Sequence, residues 1–97
     1  MPFEIVLAPE AVDDLRRLKA NVRAEVRESI ERHLRHEPQR LSRSRIKRLR
    51  GVRRPQFRLL VGEVRVFYDV SDQRVEVLAI VAKSEAETWL AQLGSLE

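Results

Sequence analysis

Ninety-seven residues, 43% of them hydrophobic, are enough for one ordinary core, so a single domain spanning residues 1–97 is expected rather than a disordered chain. The chain contains no cysteine, which excludes disulfides, thiolate metal ligands and a cysteine nucleophile. No apolar run approaches the roughly 18 residues of a membrane-spanning helix, and the expectation is a cytoplasmic protein with no membrane partner.

The net charge of +4 conceals an asymmetry. Nine Arg and Lys residues and no acid lie between Pro38 and Gly62, while the remaining ten basic residues are set against all 15 acids. A run of cations without an intervening acid creates a sustained positive field, which suits a polyanion or a strongly acidic protein segment. A solvated arginine-rich loop that balances acids elsewhere is the plainer alternative.

Taken in chain order, Phe3, Ile5 and Leu7 alternate with Glu4 and Val6 and predict a first strand. Pro9 suits the first turn of a helix, Glu10, Asp13 and Asp14 complement its dipole, and Ala11, Leu15 and Leu18 give it an apolar side to about Lys19. Asn21 reads as the N-cap of a second helix, whose buried stripe is Val22, Val26, Ile30 and Leu34 and which ends by Pro38. The segment from Gln39 to Pro55 is irregular, with Leu41, Ile46 and Leu49 as anchors to the core and its cations directed outward.

Residues Gln56 to Ala82 form three apolar runs separated by two turns, the pattern of an antiparallel meander. Gly62-Glu63 fits a two-residue type II′ turn, which places Leu60 opposite Arg65 and Arg58 opposite Phe67. A second turn at Asp72-Gln73 places Val70 opposite Val75, Tyr68 opposite Val77, Val66 opposite Ala79 and Arg65 opposite Ile80. Strand alternation then assigns Val66, Tyr68, Val77, Ala79 and Val81 to the core face, and Arg58, Leu60, Arg65, Phe67, Leu78 and Ile80 to the other. Ser84 can cap a last helix carrying Ala86, Trp89, Leu90 and Leu93. The order is βααβββα, an α+β fold with two N-terminal helices on an antiparallel sheet and a short C-terminal helix.

Arg58 and Arg65 are the first candidates for chemistry, because strands hold them rigidly and a guanidinium fork can grip a phosphate through two contacts. Salt bridges to Asp69 or Glu76 are the competing reading. Lys83, at the junction of the last strand and last helix, can support a phosphate or move a proton. Lys47, Arg48, Arg50, Arg53 and Arg54 are candidates for binding a polyanion such as RNA or, alternatively, a strongly acidic protein segment. Trp89 can stack on a base or simply pack beside Leu90 and Leu93. His33 and His36 lack the partners of a recognised metal pattern, no glycine-rich phosphate loop is present, and neither metal nor cofactor is expected.

Three stretches, Ala11-Val12-Asp13-Asp14-Leu15, Lys47-Arg48-Leu49-Arg50-Gly51 and above all Phe57 to Val70, resemble the RelE/ParE superfamily of toxins from type II toxin-antitoxin pairs, and the likeness continues through Val75 to Ile80. The resemblance implies the fold just described and a cognate antitoxin. In its RelE branch it implies a small, metal-independent ribonuclease that cuts messenger RNA on the ribosome. Arg65 matches the RelE arginine on the strand after the hairpin turn, Arg58 a basic position on the preceding strand, and Lys83 a basic position near the last strand. Leu60, Ser84 and Leu90 stand where that branch carries two basic residues and an aromatic one. ParE-like members, which target DNA gyrase without cutting RNA, also lack parts of this set, so a non-enzymatic gyrase inhibitor or a weakened RNA-binding homologue is the alternative.

Overall fold

The computed structural model describes residues 2–96. Its elements are β1 (Glu4–Leu7), α1 (Pro9–Arg17), α2 (Ala20–Leu34), β2 (Ile46–Arg48), β3 (Val52–Arg54), β4 (Phe57–Val61), β5 (Val64–Ser71), β6 (Arg74–Ala82), a 3-10 turn (Lys83–Glu85), α3 (Ala86–Leu93) and β7 (Ser95–Leu96). The βααβββα framework is present, and the basic segment adds the short strands β2 and β3. A five-stranded sheet has the order β1-β6-β5-β4-β2, and β3 pairs separately with β7. The β1–β6 pairing is parallel, which makes the main sheet mixed.

Helix α1 begins at Pro9, with Glu10 in its first turn and Arg16 and Arg17 in its last, each sign matched to the helix dipole. It ends two residues before Lys19 because Leu18 and Lys19 both take extended conformations to turn the corner. Lys19, not Asn21, therefore occupies the N-cap position of α2, and its carbonyl accepts the N–H of Arg23 at 2.8 Å. Val26, Ile30 and Leu34 are buried as the four-residue spacing requires, and Val22 packs beside them.

The β4–β5 register is the one the Gly62 turn dictates. Gly62 has φ of +56°, the left-handed region that glycine reaches without a Cβ clash. The β5–β6 hairpin starts with Val70 opposite Val75 and Tyr68 opposite Val77, then a bulge between Phe67 and Tyr68 shifts the pairing by one residue. Phe67 now faces Ala79, Val66 faces Ile80 and Arg65 faces Val81. This corrects the expected pairs Val66–Ala79 and Arg65–Ile80, because Leu78 is an extra residue on β6 and everything beyond it changes face. Ile80 thereby enters the main core with Val66, while Ala79 joins Phe67 on the opposite side.

The main core lies between the helical hairpin and one sheet face, and includes Leu15, Val26, Ile30, Leu34, Leu59, Val66 and Val77. Tyr68 is fully buried there and its hydroxyl donates to the Pro38 carbonyl at 2.6 Å, tying the chain after α2 to the sheet. On the opposite face a smaller cluster of Phe67, Ala79 and Ala86 is covered by Trp89 and Leu90 of α3.

Candidate nucleic-acid interface

Strand alternation puts Arg58 and Leu60 of β4 and Arg65 and Phe67 of β5 on the sheet face away from the helical hairpin. Lys47, Arg58 and Phe67 form one cross-strand row, and Leu60, Arg65 and Val81 form the next. Like charges directly opposite one another destabilise a strand pair, so the Lys47–Arg58 pairing is a standing demand for an anion. Arg58 Nε is itself buried and, among the described residues, has no hydrogen-bond partner.

Arg65 is placed differently. Only 8% exposed, it donates through Nη1 to the carbonyls of Gly62 at 2.8 Å and Val64 at 3.1 Å. Its donor is turned back onto the hairpin that follows β4. Lys83 meets the same hairpin from the other side, its backbone N–H donating to Glu63 O at 2.7 Å while its side chain is exposed. The three residues expected to share the chemistry therefore occupy one sheet face and its end, with Arg65 and Lys83 anchored on the Gly62-Glu63 turn.

The basic segment divides by side. Lys47 projects from the exposed margin of the face that α3 partly covers, whereas Arg48 points the other way and its guanidinium carbon lies 5.3 Å from the Phe57 ring centroid, a cation–π contact. Arg43, Lys47, Arg48 and Arg50 surround an open groove of about 1040 Å³ along β2, with Leu41, Ile46 and Leu49 as its apolar part. Leu41 is 57% exposed and so is not the anchor to the core expected of it; of the three anchors only Ile46 is buried, with Leu49 half-buried.

Arg53 is exposed, but Arg54 is engaged by two acids, Asp69 at 2.8 Å and Glu76 at 2.9 Å. The salt bridges considered for Arg58 and Arg65 are thus made by Arg54. Asp69 also accepts the Gln56 N–H at 2.7 Å, and Gln56 Oε1 accepts the Val70 N–H at 2.8 Å, so this clamp fixes the chain entering β4. Burial pushes the Asp69 carboxyl above the ordinary aspartate range, opposed by the Gln56 N–H and Arg54. Trp89 lies flat on Phe67, with ring centroids 4.9 Å apart and an interplanar angle of 5°. One of its faces is spent on packing.

The sequence reading missed the Gln56–Asp69–Arg54 clamp and the place of Arg43 in the groove. For the clamp no local signal exists, because its members come from three separate strands or loops. The unbroken run of basic residues was the available signal for Arg43.

A family model described as the ParE toxin of the type II toxin-antitoxin system, parDE, matches residues 5–87. Among curated protein sequences none matches. The fold is similar to the crystal structure of the toxin-antitoxin complex RelBE2 from Mycobacterium tuberculosis, with 26% identity and a TM-score of 0.70 over 84% of this chain and 92% of that one. It is also similar to the free E. coli toxin RelE in a double-mutant form, with 20% identity and a TM-score of 0.68 over 96% of this chain and 99% of that one. The RelB-RelE antitoxin-toxin complex from Methanococcus jannaschii gives 17% identity and a TM-score of 0.65, covering 87% and 96% of the two chains. With a family model spanning most of its length and this fold, the chain belongs to the ParE toxin family of type II toxin-antitoxin systems, within the RelE/ParE superfamily.

Proposed function

We propose that this toxin arrests translation in the cytoplasm by cutting messenger RNA on the ribosome. The observation that carries the reading is the Lys47–Arg58 pair, two opposed cations, one exposed and one half-buried, at the β2–β4 edge of the sheet face that α3 partly covers. An RNA phosphate seated there relieves the repulsion and can accept from Lys47 and the accessible end of the Arg58 guanidinium. In the reaction the ribose 2′-hydroxyl attacks the adjacent phosphorus, the bond to the 5′-oxygen breaks, and the products are a 2′,3′-cyclic phosphate and a 5′-hydroxyl. Arg58 stabilises the charge that develops on the phosphoryl oxygens, Lys47 positions the strand, and Lys83 is the candidate for moving a proton. Primer extension on transcripts in a translating extract should reveal new ends at ribosomal positions. Intact transcripts with folded toxin and active ribosomes would reject it.

A cognate antitoxin completes the proposal. The solved RelBE2 and archaeal RelB-RelE structures are toxin-antitoxin complexes, and the cationic groove beside exposed Leu41 offers a surface for acidic and aliphatic side chains. Co-expression with the neighbouring small open reading frame should yield a stable complex and remove toxicity.

A gyrase-directed reading is favoured by one specific observation. Arg65, which the RelE branch would use against the phosphate, directs Nη1 at its own hairpin. Inhibition of purified gyrase in a supercoiling assay, without messenger cleavage, would select this branch.

A further inference from the structure

On the helical side of β2, a second pocket of about 360 Å³ opens between the C-terminal end of α2 and the loop leading into the strand. Arg32, His33, Glu37, Arg40, Ser42 and Arg45 line it. This volume is at the small end for ligand sites, suited to a compact group rather than a helix or strand. It is separate from the Lys47–Arg58 row, which lies on the other sheet face.

Its cations differ in availability. Arg32 is paired with Glu28 at 2.9 Å and Arg40 with Glu37 at 3.3 Å, both between exposed side chains whose pairing contributes little and exchanges readily. Among the described residues Arg45 makes no ion pair, and its own carbonyl is used by the Leu60 N–H at 2.8 Å, which fixes its backbone against β4. The Ser42 hydroxyl oxygen accepts the Ile46 N–H at 3.3 Å, leaving the hydroxyl proton free to donate. The site thus offers an unpaired guanidinium on a fixed backbone, a hydroxyl, an imidazole and two exchangeable guanidinium groups.

We propose that this pocket binds a phosphate monoester. A dianion with several acceptor oxygens can use the Arg45 fork, the Ser42 hydroxyl and a protonated His33 at once, and can displace the Glu37 carboxylate from Arg40. Burial, then the charges of Arg45 and Arg32, push His33 below the ordinary histidine value. Binding of a dianion reverses the electrostatic part of that effect, so phosphate uptake is coupled to protonation of His33. Two sources share this chemistry, the 5′-terminal phosphate of a nucleic acid and a small phosphorylated molecule.

The protein supplies its own control, because His36 is exposed and does not line the pocket. The test follows both imidazoles by NMR in the whole chain, the His33 ring across pH, with inorganic phosphate and then with acetate at constant ionic strength. The His33 midpoint should rise by about one pH unit in saturating phosphate, as expected for an opposite charge close to the ring. The His36 resonances should not respond to phosphate at fixed pH, and the His33 response should vanish in a folded Arg45→Ser variant. Equal movement of both histidines, no movement of either, or an equal response to acetate would overturn the proposal. Competition for the His33 signal by a 5′-phosphorylated oligonucleotide but not by adenosine monophosphate would support a nucleic-acid end, and competition by adenosine monophosphate would support a small ligand. The readout is independent of toxin activity, so failure here leaves the reading of messenger cleavage untouched.

Discussion

Asp14 Oδ2 accepts the backbone N–H of Ile80 at 2.9 Å, from a helix on to a strand. The strand β1 covers the edge of β6 only from Arg74 to Val77, and the Ala8 N–H closes that pairing on Val77 O at 2.9 Å. Beyond that point a bare sheet edge would remain, and the carboxylate of α1 takes over as acceptor for a residue that the bulge has rotated into the core.

Asp14→Ala should therefore lower stability by about 1 to 3 kcal/mol, the range for leaving a buried donor without its partner. Asp14 also pairs with Arg17 at 2.7 Å, but Arg17 is 73% exposed, so Arg17→Ala should cost no more than about 1 kcal/mol. Urea denaturation of the two variants separates the contributions. Equal losses would show that the helix-surface pair, rather than the edge cap, is what matters.

The same region shows why part of the fold was legible and part was not. Gly62 between two alternating runs identifies a turn and, with it, the whole β4–β5 register, which places Tyr68 in the core and Arg58 and Arg65 on one face. From Val77 to Ala82 every residue is apolar, so alternation carries no information and the extra residue Leu78 leaves no trace. The fate of Arg54 was equally hidden, since its partners Asp69 and Glu76 are distant in sequence and meet it only once the sheet has formed. Leu41 looked like an anchor by composition, yet the chain that carries it turns outward before β2.

Asp69 should give stability a specific pH dependence. Burial raises its folded-state pKa above the unfolded value, so within that window the folded protein binds more protons than the unfolded chain. The contribution of Asp69 to stability consequently falls as pH rises from the ordinary aspartate value through the folded-state pKa. Asp69→Asn removes the titration while retaining an acceptor for the Gln56 N–H. The stability of the variant relative to wild type should become more favourable as pH rises through that window, as measured by urea denaturation at successive pH values. A difference that moves in the opposite direction would mean that Arg54 and Gln56 outweigh burial.

Tyr68→Phe tests the tether to the chain after α2. The ring remains stacked on Phe57, with centroids 5.5 Å apart, and only the hydroxyl donated to Pro38 O is lost. A loss of about 1 to 2 kcal/mol is expected, since a buried carbonyl is left without its donor. Hydrogen exchange should show faster opening around Pro38 than in β4; uniform acceleration across the sheet would instead indicate a repacked core.

The two sheet arginines should separate stability from cleavage. Arg65 holds the Gly62 and Val64 carbonyls, so Arg65→Ala should destabilise the protein by about 1 to 3 kcal/mol. Arg58 has a buried Nε with no partner among the described residues and faces Lys47 across the strand pair. Replacing it with methionine keeps an unbranched stem and removes both costs, so Arg58→Met should be neutral or stabilising. Cleavage should show the reverse order. Under the messenger-cleavage reading, loss of the Arg58 donor should reduce the single-turnover rate by about 10²- to 10³-fold, the usual effect of removing one donor from a charge-developing site. Arg65→Ala should cut more slowly only to the extent that the Gly62-Glu63 turn, and Lys83 with it, shifts. Rates measured on saturating ribosomes, alongside urea denaturation of the same preparations, decide the matter. Wild-type cleavage by Arg58→Met would remove Arg58 from the reaction, and wild-type stability of Arg65→Ala would show that its contacts with the hairpin carry no structural weight.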